Sequence, residues 1–147
     1  MRLRDYLTEV ISSVETKKIG IVGYTDPKFD KGKAKTLIRK GFEKFSIGPG
    51  DEIVSGLTDT GISSLAYREA RKVGAKTVGI ACSKAKEHKL FPVDKTVIKG
   101  KKWGDESSYF LSYITHLIKI GGGKQSEKEF NAFRGPKVEY NLPEIKE

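Results

Sequence analysis

Three short stretches of the sequence combine glycine with small hydroxyl or charged residues, a mixture suited to holding an anionic small molecule. They are Gly23-Tyr24-Thr25-Asp26, Ser55-Gly56-Leu57-Thr58-Asp59-Thr60-Gly61 and Gly121-Gly122-Gly123-Lys124-Gln125-Ser126. Glycine lets backbone N–H groups come close to a ligand. A helix starting just after such a loop adds unpaired donors and the positive end of its dipole, which together suit phosphate. The candidate ligand-binding residues are therefore Gly23, Tyr24, Thr25, Gly56, Thr58, Thr60, Gly61, Gly122, Gly123, Lys124, Gln125 and Ser126. Thr58, Thr60 and Ser126 bring hydroxyls, and Lys124 brings a full charge. Plain tight turns also use glycine; what favours a ligand is that three such loops follow strands of one sheet.

Several other residues carry two readings each. Glu129 is the candidate catalytic group, able to hold a ribose or face an oxocarbenium-like transition state. Equally, Ser126-x-x-Glu129 ahead of Phe130 matches a capping box, with Ser126 as N-cap. Asp26 and Asp59 are placed to accept a ribose hydroxyl or to close their own turns. Lys84, Lys86, His88 and Lys89, continued by Lys95, Lys99, Lys101 and Lys102, form a basic stretch that either covers the site or is solvated. Tyr24, Phe29, Phe91 and Trp103 offer rings for a base to stack on, or cover the edge of the core. Cys82 is the single cysteine and has no ligand partner at metal spacing, so neither a metal site nor a resident cofactor is expected. The sequence has no Gly-x-x-x-x-Gly-Lys-Ser/Thr loop, which argues against an ATPase of that type.

The elements that must position these residues alternate. Short apolar runs at Lys18–Tyr24, Glu52–Ser55, Lys76–Ala81 and His116–Ile120 read as buried strands, with a shorter one at Thr96–Ile98. Between them, Ala34, Leu37, Ile38, Phe42 and Phe45, and then Ile62, Leu65, Ala66, Ala70 and Val73, repeat at helical spacing. Asp105 is expected to cap a helix through Tyr113, and a last short helix is expected from Ser126 to Gly135-Pro136. Alternating strands and helices predict an α/β domain: a single Rossmann-like, doubly wound, mainly parallel sheet with helices on both faces. In such sheets ligands bind beyond the carboxyl ends of the strands. The expected organisation is an amphipathic helix over 1–16, packed on the domain or on a second copy, a nucleotide-binding domain over 17–136 and a tail over 137–147 holding an edge strand.

Composition sets the frame. The 147 residues suit one domain, with 37% hydrophobic and 32% charged residues, the balance of a globular chain. The formal charge of +9 favours acidic partners such as phosphates or nucleic acid. No apolar run reaches membrane-helix length, and Asp5 and Glu9 interrupt any secretory apolar core, so a cytoplasmic protein with no membrane partner is expected.

The run Val54-Ser55-Gly56-Leu57…Gly61, followed by Ala66…Ala70 and Gly74-Ala75-Lys76-Thr77-Val78-Gly79-Ile80, resembles the Smf/DprA–LOG (SLOG) superfamily. So does the opening strand Ile19 to Tyr24. The stretch Ile120 to Glu129 resembles that superfamily's Pro-Gly-Gly-x-Gly-Thr-x-x-Glu signature, with Gly122 and Gly123 as the paired glycines, Ser126 at the threonine and Glu129 at the glutamate. The resemblance implies a Rossmann-like domain that binds nucleotides or their derivatives. Its branches include LONELY GUY-type phosphoribohydrolases, DNA-processing protein A with single-stranded DNA, and nucleotide sensors; a dimer is also implied. The chain departs from the pattern at Gly121, where the family has proline, and at Gln125, where it has the third glycine. The hydrolase branch's arginine has no counterpart in Trp103 to Tyr109. The function expected is binding of a nucleotide-type small molecule, by a sensor, sequestering protein or phosphoribohydrolase-like enzyme. The alternative is single-stranded nucleic acid binding.

Overall fold

The computed structural model describes residues 16–145. Except for Thr16, the amphipathic segment over 1–16 lies outside the described residues. Among the described residues, six strands, β1 (Lys18–Gly23), β2 (Glu52–Ser55), β3 (Lys76–Ala81), β4 (Lys95–Ile98), β5 (His116–Ile120) and β6 (Lys137–Tyr140), form one sheet. Its order is β4-β3-β2-β1-β5-β6, and every neighbouring pair is parallel. The helices are α1 (Lys31–Lys44), α2 (Gly61–Lys72), α3 (Ser107–Tyr113) and α4 (Lys124–Ala132), with a 3₁₀ turn at Ser83–Glu87. This is the Rossmann-like α/β fold that the alternation of elements predicts.

The central strands carry apolar residues on both faces, because helices cover both. On one face Ala34, Ile38 and Phe42 of α1 and Ile62, Leu65, Ala66 and Ala70 of α2 pack on Ile19, Ile21, Ile53, Ile118 and Ile120. On the other, Phe110 of α3 and Phe133, just past α4, pack with Val22, Val54, Val78, Ile80 and Leu117. Connections leading from β1 to β3 cross one face, and those from β4 to β6 cross the other. The winding therefore reverses between β1 and β5, and the loops after these two strands part there.

Two local features differ from the sequence expectations. Asp105 does not cap α3: its carboxylate accepts the backbone N–H groups of Lys101 and Lys102, both at 3.0 Å, and Glu106 stands at the N-cap position without a side-chain cap bond. Nor does Ser126 cap α4. That helix begins at Lys124 behind Gly123, which puts Ser126 and Glu129 inside it. Among the described residues, no helix is long and apolar enough to cross a membrane.

Candidate functional site

Beyond the carboxyl ends of β1, β2 and β3 lies a cleft of about 410 Å³. Its floor is Ile21, Val22, Ser55, Ile80 and Ala81, with Ala85 of the 3₁₀ turn. One side is formed by the loops after β1 and β2. The other is formed by Trp103, Glu106 and Phe110 and by the first turns of α4.

The loop after β5 is shaped by its glycines. Gly122 has φ +104°, a conformation open to glycine, and a Cβ there would lie 2.8 Å from Ser126. Gly122 is thus a packing residue beneath the site. Gly123 is different: nothing lies within 4 Å of where its Cβ would be, so its missing side chain leaves open space at the cleft's lip. Ser126 then donates from Oγ to the Gly23 carbonyl at 3.2 Å, tying α4 to the end of β1.

Glu129, one turn further on, is buried at the cleft wall, 8% exposed. Its Oε2 accepts from Ser107 Oγ at 2.9 Å. Burial raises its pKa and the nearby Glu106 carboxylate adds to this, while the hydrogen bonds from Ser107 and Gln125 oppose it. Glu106 is also buried; it accepts the Gly104 N–H at 3.1 Å and Gln125 Nε2 at 3.2 Å. Two buried carboxylates, bridged by Gln125 and supported by Ser107, make this wall a hydrogen-bond acceptor for ligand N–H or O–H groups. The capping-box reading of Glu129 does not hold, since its partner is Ser107 and not a backbone N–H of the helix start.

The loops on the opposite side are tied together. The Tyr24 carbonyl accepts the Ile62 N–H at 2.9 Å. Gly61 has φ +64° and lies against the backbone of Tyr24 and Thr25, so a Cβ has no room there. The loop after β3 runs along the loop after β2, with Phe91 N–H donating to the Leu57 carbonyl at 2.8 Å and Asp59 N–H to the Lys89 carbonyl at 2.9 Å.

Of the residues singled out from sequence, Gly23, Tyr24, Thr25, Asp26, Gly56 and Thr58 line the cleft on this side. Gly123, Lys124, Gln125, Ser126 and Glu129 line it on the other. Thr60, Gly61 and Asp59 face a separate hollow behind the loops. Asp59 accepts Ser64 Oγ at 2.8 Å. Of the four loop aromatics, Tyr24 and Trp103 line the cleft, whereas Phe29 and Phe91 are buried in the core. Trp103 is half exposed at the lip, its ring centroid 5.9 Å from that of His88. His116 packs edge-on against Phe45, away from the cleft. Sequence reasoning misses Glu106 and Ser107, which lie between Trp103 and Tyr109, where the only signal sought by the family pattern is an arginine.

No protein-family model matches the chain, and no curated protein does. Solved structures do match. A molybdenum cofactor binding protein from Rippkaea orientalis aligns with TM-score 0.66 at 20% identity, over 88% of this chain and 78% of that one. The molybdenum cofactor carrier protein of Chlamydomonas reinhardtii aligns with TM-score 0.62 at 17% identity, over 85% and 76%. A structural-genomics target, TM1055, aligns with TM-score 0.60 at 23% identity, over 78% of this chain and 66% of that one. The chain shares their fold. It spans just under two thirds of TM1055 and about three quarters of the two cofactor proteins.

Proposed function

We propose that the cleft binds a phosphorylated heterocycle, a nucleotide or a nucleotide-derived cofactor, held for sensing, sequestration or delivery. The observation that carries this reading is the pairing of a side-chain-free lip at Gly123, where α4 begins, with a wall of buried carboxylates at Glu106 and Glu129. The phosphate sits at the α4 N-terminus, where backbone N–H groups are unpaired and Lys124 and Thr25 are at hand. The carboxylates accept from the ligand's hydroxyl or ring N–H groups, and Trp103 and Tyr24 offer rings to the heterocycle. Two neighbours in fold are molybdenum cofactor carrier or binding proteins, which supports a ligand of this chemical class.

Single-stranded nucleic acid finds less support. The half-buried tyrosine pair Tyr109 and Tyr113 is already capped: Lys99 lies over Tyr109, and Lys18 and Lys95 lie over Tyr113. Rings so covered are not free stacking platforms.

A thermal-shift screen tests the reading. It compares nucleoside monophosphates, cyclic nucleotides, ADP-ribose-type ligands, a pterin phosphate and a short single-stranded DNA, at low and moderate salt. A ligand at about a hundred times its dissociation constant stabilises by about 2.7 kcal/mol, several degrees in a domain of this size. A salt-tolerant shift with one small ligand, absent in Gly123→Val, supports the proposal. A shift with DNA alone that fades with salt overturns it. Glu129→Gln then separates binding from turnover: a hydrolase loses base release and keeps its affinity, whereas a carrier has no release to lose.

A further inference from the structure

Behind the loops that border the cleft lies the second hollow, of about 450 Å³. The two spaces share a wall: Asp26 and Thr58 face the cleft, while Pro27, Asp59 and Thr60 face the hollow. Its floor is apolar, with Phe29 and Leu65 buried. Its rim is cationic and comes from three separate segments: Lys31 and Lys35 of α1, Arg68 of α2 and Lys89 of the loop after β3.

Among the described residues, the only carboxylate lining it, Asp59, is already engaged. It accepts from Ser64, lies 3.5 Å from Lys89 and lies 4.0 Å from Arg68. The Ser64 bond and these two cations hold its carboxyl below the usual range against the opposing effect of burial. Among the described residues, Lys31 and Lys35 have no ion-pair partner, although Lys35 is half-buried. These two lysines are four residues apart on one helix, a spacing at which like charges repel. They also stand in the opening turns of α1, where the helix dipole favours acids. Neither α1 nor α2 has an acidic residue in its first turn, and the acid at the head of α1, Asp30, is engaged as its N-cap, accepting the Lys33 N–H at 3.0 Å. A sequence that sets unpaired lysines against each other and against a helix dipole, around a concave space, departs from the local rules in the way functional sites do.

We propose that this hollow is a second binding site, distinct from the cleft, for a small polyanion of the pyrophosphate class. Its charges bridge the Lys31–Lys35 side of the rim and the Arg68–Lys89 side. Thr60, whose side chain makes no capping bond to α2, adds a neutral donor. The Phe29–Leu65 floor accommodates an apolar group attached to the anion.

The test uses inorganic pyrophosphate on the full chain at low salt, where surface electrostatics are least screened. Pyrophosphate is expected to raise the melting temperature by several degrees. That shift persists in Gly123→Val, which obstructs only the cleft. Affinity falls at least tenfold in Lys35→Glu/Arg68→Glu, and the ligand-free Lys35→Glu protein melts higher than wild type because repulsion is relieved. Should the double reversal not fold, Lys31→Gln/Lys89→Gln serves the same purpose. The proposal is overturned by no shift in wild type, by a shift that survives loss of the lysines, by one that disappears in Gly123→Val, or by an equal shift from chloride at matched ionic strength.

Discussion

The strand-loop-helix units β2–α2 and β5–α4 have the same design and opposite uses of their polar groups. In β2–α2, polar side chains are turned to the fold. Tyr67 donates to the carbonyls of Gly56 and Val78, Ser64 donates to Asp59, and Glu69 is bound by Arg39 and Lys72. In β5–α4, Ser126 anchors the helix, but Glu129 is held only by the neutral side chains of Ser107 and Gln125 at the wall of the cleft, and Gly123 faces open space. Two glycine-rich loops that look alike as sequence thus border the same cleft in different ways: the one after β2 leads into a helix bound to the fold, and the one after β5 opens space at the lip.

The comparison can be broken at four points. The largest effect is expected from Gly61→Ala, where the left-handed backbone and the contact with Tyr24 and Thr25 leave no place for a Cβ. The expected cost is about 3 kcal/mol or more, read by urea denaturation. Next is Tyr67→Phe, which takes the shared hydroxyl donor from the buried Val78 carbonyl and the part-buried Gly56 carbonyl; a loss of about 1–2 kcal/mol is expected in the same measurement.

The other unit should answer differently. Glu129→Gln is expected to stabilise the protein near neutral pH. The folded-state pKa of Glu129 lies above its unfolded value, so the native state favours the protonated form. Whatever Glu129 contributes is fully present below the ordinary glutamate pKa and is lost as pH rises through the raised one. The gain from glutamine should therefore vanish as pH falls below the usual glutamate range, which melting curves across pH will check. The smallest stability effect is expected at Gly123→Val, within about 0.5 kcal/mol of wild type, with at least a tenfold loss of nucleotide-type ligand affinity by calorimetry. Equal stability losses at Gly61 and Gly123 would erase the distinction between the loops.

The sheet was legible because buried parallel strands leave short apolar runs that glycine ends, as in His116–Ile120 before Gly121. The location of the loops followed from the same pattern. The role of each loop residue was not legible. Ser126 and Glu129 have capping-box spacing wherever the helix starts, and only Gly123 standing as its N-cap moves both into its interior. Asp105 was a fair capping candidate until the turn at Lys101 and Lys102 claimed its carboxylate. Glu106 and Ser107 were invisible as site residues because their partners, Gln125 and Glu129, are 19 and 22 residues away. Thr60 and Gly61 share a loop with Gly56 and Thr58, yet the chain turns between them and faces them into different spaces.

Trp103 is the only tryptophan in the chain, and it stands half exposed on the lip of the cleft beside His88. The protein therefore carries a built-in optical probe. Whatever enters the cleft changes the surroundings of that one indole, and its emission follows occupancy without any label. A ring stacking on it would quench the emission, and displacement of water by an apolar group would shift it to the blue.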